Sequence, residues 1–168
     1  MEEIINKVAS SGLVTIDPAT LVASGTRSHL DIADQLWQGL ALKEKDFREW
    51  LKNTDWSVFQ NHHVSISCSA DAIIPPWSFM LLASALQPFA ASIVVGSPED
   101  LEAELFRRAV KAIPTEEYRD ARIVIKGCGD IALPKSAYVD LVNHLQPLSK
   151  SIMFGEPCST VPVFKKRT

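Results

Sequence analysis

Apolar and polar positions alternate along this chain in two different rhythms. In residues 43–53 (KEKDFREWLKN), Phe47, Trp50 and Leu51 fall at i, i+3 and i+4 on an otherwise charged segment, which predicts an amphipathic helix. A second helix is predicted from Pro98, with Ser97 as its N-cap and the acidic Glu99 and Asp100 in its first turn. Short runs rich in β-branched residues, HVSIS (63–67), SIVV (92–95), RIVIK (122–126) and SIMF (151–154), read as strands. Between them, segments near 76–87 and 135–146 read as helices, each closed by Leu-Gln-Pro because proline cannot continue a helix. LVTID (13–17) reads as a strand, whereas HLDIADQLWQGLAL fits either type because Gly39 interrupts it. Strands alternating with helices at this spacing predict an α/β fold, a mainly parallel sheet with flanking helices.

The pattern repeats. Shifted by 59 positions, residues 71–98 lie without a gap on residues 130–157, and ten of the 28 columns are identical. The shared residues include Asp71/Asp130, Pro75/Pro134, Leu82/Leu141, Leu86/Leu145, Gly96/Gly155 and Pro98/Pro157. Upstream, Phe47-Arg48 meets Phe106-Arg107 in the same frame. The expected architecture is therefore an internal duplication of an α-β-α-β unit, with halves near 39–98 and 98–157 inside a single domain, residues 1–168.

Composition narrows the function classes. With 17 Lys plus Arg against 20 Asp plus Glu, the net charge of −3 gives no basic face for nucleic acid. Three cysteines and an acidic, leaderless opening (MEEIINKVASSG) point to reduced thiols and a cytoplasmic protein. No charge occurs between Asp71 and Glu99, a length sufficient for a bilayer, but Pro75, Pro76 and Pro88 divide the run. Its second copy carries Lys135, Asp140 and Lys150, so a membrane is not the expected partner.

The cysteines share one kind of position. Cys68, Cys128 and Cys158 each come just after a predicted parallel strand, the edge at which ligands bind in open α/β sheets. They are not copies of one another, since the shift of 59 places Cys68 on Gly127, Cys128 on Ser69 and Cys158 on Glu99. Thiolates are soft ligands for zinc or an iron–sulfur cluster, and Asp71, Asp130 or Glu156 stands ready to complete four-coordination. No Cys-x-x-Cys pair supports this by spacing. Two other readings stay open: Cys158 in the amide-rich GEPCST turn as the nucleophile or redox thiol of an enzyme, and three packed thiols in a metal-free interaction module. For the module, Trp77 is the candidate anchor, because its repeat counterpart is the small Ser136. Self-association is a further partner class left open.

The remaining polar residues are poorer candidates. Asp71 and Asp130 equally suit helix caps. His62 and His63 open a strand on the opposite edge, His144 sits near a helix end, and His29 has no assigned place. Arg48 and Arg107 are expected to pair with acids on helix faces.

The segments LKEKDFREWLKN, DWS, CSADAIIP, LQP and SIMFGEPCSTVP resemble the bacterial domain-of-unknown-function family numbered 2480 over nearly the whole chain. The resemblance implies a small bacterial protein without an assigned activity. It also implies a neighbourhood of sulfur mobilisation, and hence iron–sulfur assembly proteins as possible partners. It assigns no catalytic residue.

Overall fold

The computed structural model describes residues 12–127, 132–156 and 159–167. Seven strands and four α-helices follow one another: β1 (Leu13–Ile16), β2 (Arg27–Asp31), α1 (Glu44–Asn53), β3 (His63–Ser67), α2 (Pro76–Leu86), β4 (Ser92–Val95), α3 (Pro98–Lys111), β5 (Arg122–Ile125), α4 (Lys135–Leu145), β6 (Ser151–Glu156) and β7 (Ser159–Lys165). The fold is mixed α/β. Its strands form two sheets, where the sequence suggested one.

The chain divides into two compact units, residues 24–104 and the segments on either side of them, with the division falling within α3. In the 24–104 unit the sheet order is β2-β3-β4, all parallel. Val64 and Ile66 from β3 meet Leu82 and Leu86 from α2, together with Ile32 and Trp56, in one buried cluster. The stripe predicted for α1 faces this core: Phe47 is buried and Trp50 lies 5.2 Å from it, ring to ring. Trp56 packs edge-on against Trp50 at 5.4 Å and donates its indole N–H to the Leu51 carbonyl at 2.8 Å, so its polar atom is satisfied. Trp77 sits half-buried, edge-on to Phe47 at 5.9 Å.

The other unit has sheet order β1-β5-β6-β7. Here β1, β5 and β6 are parallel and β7 returns antiparallel to β6. Ile123, Ile125 and Ile152 from the strands pack with Phe106 and Val110 of α3 and with Ala137, Leu141 and Leu145 of α4. Burial of each such leucine or isoleucine side chain stabilises the fold by roughly 1.5–3 kcal/mol.

The strong periodic segments are found close to their predicted bounds, including the Ser97 cap. Ser97 Oγ accepts from the Asp100 amide at 3.2 Å while Asp100 Oδ2 accepts from the Ser97 amide at 2.8 Å. The ambiguous stretch after residue 28 proves to be the end of β2 and a short 3-10 turn, Ala33–Gln35. β7 was not foreseen. Its Pro162 lies on the outer strand of the sheet, the place where a missing N–H is tolerated.

The 59-residue shift reappears as register. His63 pairs with Ser92 and Ile66 with Val95 between β3 and β4. Arg122 pairs with Ser151 and Ile125 with Phe154 between β5 and β6. α2 and α4 differ by the same shift at both ends. The short leading strands correspond too: β1 meets β5 from Leu13↔Arg122, and β2 meets β3 from Arg27↔His63. Asp17 just after β1 and Asp31 at the end of β2 each accept from an amide two residues on, at 3.0 and 2.9 Å. No helix among the described residues is long and apolar enough to cross a membrane. The uncharged run after Asp71 is the short helix α2 followed by β4.

Candidate functional site

Cys68 follows β3 in the three-stranded sheet, while Cys128 and Cys158 follow β5 and β6 of the four-stranded one. Cys68 is half-buried against the Val64–Leu82 cluster, its Sγ 3.8 Å from the Ala70 carbonyl oxygen. Asp71, three residues on, is exposed. Glu156 is half-buried at the end of β6, paired with Ser159 across the hairpin. Cys128, Asp130 and Cys158 lie outside the described residues. Among the described residues, no three His, Cys, Asp or Glu side chains are grouped to hold a metal ion.

Size is traded across the two sheets at this edge. A Cβ on Gly127 would meet the Phe154 ring at 2.4 Å, so a larger residue there has to displace that ring. At the corresponding positions of the other sheet stand Cys68 and Val95, a larger residue where the glycine was and a smaller one where the ring was.

A second constellation lies on the face of β2-β3-β4 turned away from the Val64/Ile66 core, since strand side chains alternate. His29 is paired with Ser65 in register. Its Nδ1 lies 2.8 Å from Ser65 Oγ and its Nε2 lies 3.1 Å from Ser67 Oγ. His63 is similarly engaged, with Nδ1 2.8 Å from Ser92 Oγ and Nε2 2.8 Å from the Ser24 carbonyl oxygen. A carbonyl only accepts, so His63 donates through Nε2 and accepts the Ser92 hydroxyl at Nδ1. Arg27 forks onto Glu102 through Nε and a terminal nitrogen, at 2.7 and 3.1 Å.

Two carboxylates border His29. Asp31 is held below the usual carboxylate range, chiefly by hydrogen bonding to Ser69 and further by the Ala33 amide and the charge on His29. Glu99 is also lowered, chiefly by the Ser97 hydroxyl, with His29 contributing. His29 has no assigned place in the sequence reading because β2 carries no apolar alternation. The parallel register alone brings it beside Ser65 and Ser67. Elsewhere, Arg48 pairs with Glu44 at 2.9 Å and Arg107 with Asp140 at 3.5 Å, as expected for helix-face partners. His144 Nε2 reaches the Ile113 carbonyl oxygen at 3.4 Å.

Residues 2–166 match the family described as Protein of unknown function (DUF2480). The chain belongs to DUF2480. No curated protein and no solved structure matches it. Within this DUF2480 chain the family resemblance rests on both sheets, because CSADAIIP begins at the end of β3 and SIMFGEPCSTVP runs through β6 into β7.

Proposed function

We propose that this DUF2480 chain binds a soft metal, zinc or an iron–sulfur cluster, through Cys128 and Cys158, with Asp130 or Glu156 as the oxygen ligand. The supporting observation is that β5 and β6 are in-register neighbours, and Gly127 packs without room for a Cβ against Phe154. The chain leaving β5 thus touches β6 one residue before the first of these thiols. Parallel strands about 4.8 Å apart deliver consecutive ligands within the span of one metal ion. Cys68 and Asp71 belong to the other unit, and Cys68 is assigned a packing role in this reading. A cytoplasmic setting keeps the thiols reduced, and iron–sulfur assembly proteins are the partners it implies. Elemental analysis of anaerobically purified protein tests this. Bound metal is expected in the wild type and in Cys68→Ser, and is lost in Cys128→Ser and Cys158→Ser. Absence of metal from the wild type overturns the reading.

A second reading, an interaction module, has its own supporting observation. Val139 and Val142 of α4 and Val161 and Val163 of β7 flank Phe154 around an apolar groove of about 470 Å³. Self-association that is lost on Val161→Asp, in a wild type that carries no metal, is the outcome that favours this metal-free module. We also propose that the two units descend from one duplicated α-β-α-β unit, which the shared registers support.

A further inference from the structure

We propose that Ser67, His29 and Ser65 form a proton relay that makes Ser67 a nucleophile toward neutral or cationic esters and thioesters. This lies in the 24–104 unit and is independent of the thiols after β5 and β6. The relay runs in one direction, which the geometry admits. Ser65 is fully buried, and its Oγ lies 3.5 Å from the Ser28 carbonyl oxygen, which only accepts. The proposed relay turns the Ser65 hydrogen toward that carbonyl, so that its oxygen accepts from Nδ1–H of His29 at 2.8 Å. In that arrangement the imidazole keeps its lone pair on Nε2, facing the Ser67 hydroxyl at 3.1 Å. Nucleophile, base and a buried group that sets the base's tautomer are the three parts an activated serine requires.

Position and charge agree with this assignment. Ser67 is the last residue of β3, at the carboxyl edge where substrates enter parallel sheets, and it is half-buried while Ser65 is sealed. Asp31 is paired with Ser67 in register and kept ionised, and Glu99 adds a second negative charge. Two carboxylates repel an anionic acyl compound, which restricts the class to neutral or cationic ones. The other sheet argues against a purely structural role. In the frame of the repeat, Ser65 and Ser67 become Val124 and Lys126, and by strand register His29 becomes Thr15. The fold is built there without any relay.

In the reaction, Ser67 Oγ bonds to the acyl carbon as its proton passes to Nε2 of His29. The tetrahedral adduct then expels the alcohol or thiol, which leaves with that proton. Water adds to the acyl-serine in the same way, giving the carboxylic acid and restoring the Ser67 hydroxyl. Ser65 is a positioning residue.

A fluorophosphonate probe followed by intact-mass and peptide analysis tests the nucleophile. One adduct on Ser67, with fluoride displaced, is expected in the wild type, none in Ser67→Ala, and labelling slowed about 100-fold or more in His29→Ala. Hydrolysis of 4-nitrophenyl acetate should fall in parallel. Nitrogen-15 NMR of the wild type reads the tautomer without any variant: protonated Nδ1 on His29 is expected, and Ser65→Ala should shift it toward Nε2–H. A folded wild type with no serine adduct, or a neutral His29 protonated at Nε2, overturns the proposal.

Discussion

The β3-α2-β4 and β5-α4-β6 segments have the same register and the same helix bounds, yet they present different surfaces. On the helix-facing side both are aliphatic, with Val64, Ile66, Leu82 and Leu86 in one and Ile123, Ile125, Leu141 and Leu145 in the other. On the opposite side the first carries His63, Ser65, Ser67 and Ser92, joined by His29. The second carries Arg122, Val124, Lys126 and Ser151 at the same positions. Shared positions are the ones the fold needs, because they fill the space between helix and sheet. Positions that differ are free to carry chemistry.

The largest expected effect tests the shared part. Leu82→Ala and Leu141→Ala remove equivalent, fully buried side chains, and each is expected to cost about 2–5 kcal/mol in chemical denaturation. Amide exchange should speed up mainly in β2–β4 for the first and in β1 and β5–β7 for the second. A cost below about 1 kcal/mol at either site would break the equivalence.

Next comes the traded pair. Gly127→Cys installs the residue of the other sheet beneath a ring that leaves 2.4 Å, and overpacking of this kind costs about 1–3 kcal/mol. Combined with Phe154→Val, it should recover part of that loss, a coupling of about 0.5–3 kcal/mol in a double-mutant cycle. Strict additivity would remove the packing account of Cys68.

The two equivalent glycines sharpen the comparison further. Gly96 and Gly155 have φ of +144° and +122°, where side chains are strained, so alanine costs about 1–3 kcal/mol at either. At Gly155 the new Cβ meets the Ser159 carbonyl oxygen at 2.6 Å, and at Gly96 it meets Oδ2 and Cβ of Asp100, the cap partner of Ser97, at 2.6 and 2.8 Å. Both alanine variants should therefore lower the melting temperature, and unequal fold stability of the two would separate the two sheets.

The smallest effect concerns Asp31. Its carboxyl is lowered in the folded protein, so it contributes stability above the unfolded value near about 3.9. That contribution is lost as pH falls through the folded value. Urea midpoints taken from about pH 5 down to pH 2 should fall less steeply for Asp31→Asn than for the wild type. Parallel curves would show that Asp31 carries no preferential charge stabilisation.

Local pattern alone determined most of the elements. The α1 stripe, the Ser97 cap, the Leu-Gln-Pro stops and the four aliphatic strands are all written in neighbouring residues, because helix and strand periodicity are properties of short segments. The 59-residue shift was legible for the same reason, as was the family. What the sequence left open depended on which strands pair. β2 lacks alternation, and β7 contains a proline, so neither announces itself; hydrogen bonding to β3 and β6 makes them strands. The number of sheets was likewise hidden, since alternating strands and helices are compatible with one sheet or two. Cys68 stood out in the sequence by its chemistry, yet the tertiary structure gives it a packing neighbourhood. His29, by contrast, is 36 residues from Ser65 along the chain, and only the parallel register of β2 on β3 sets its ring 2.8 Å from that buried hydroxyl.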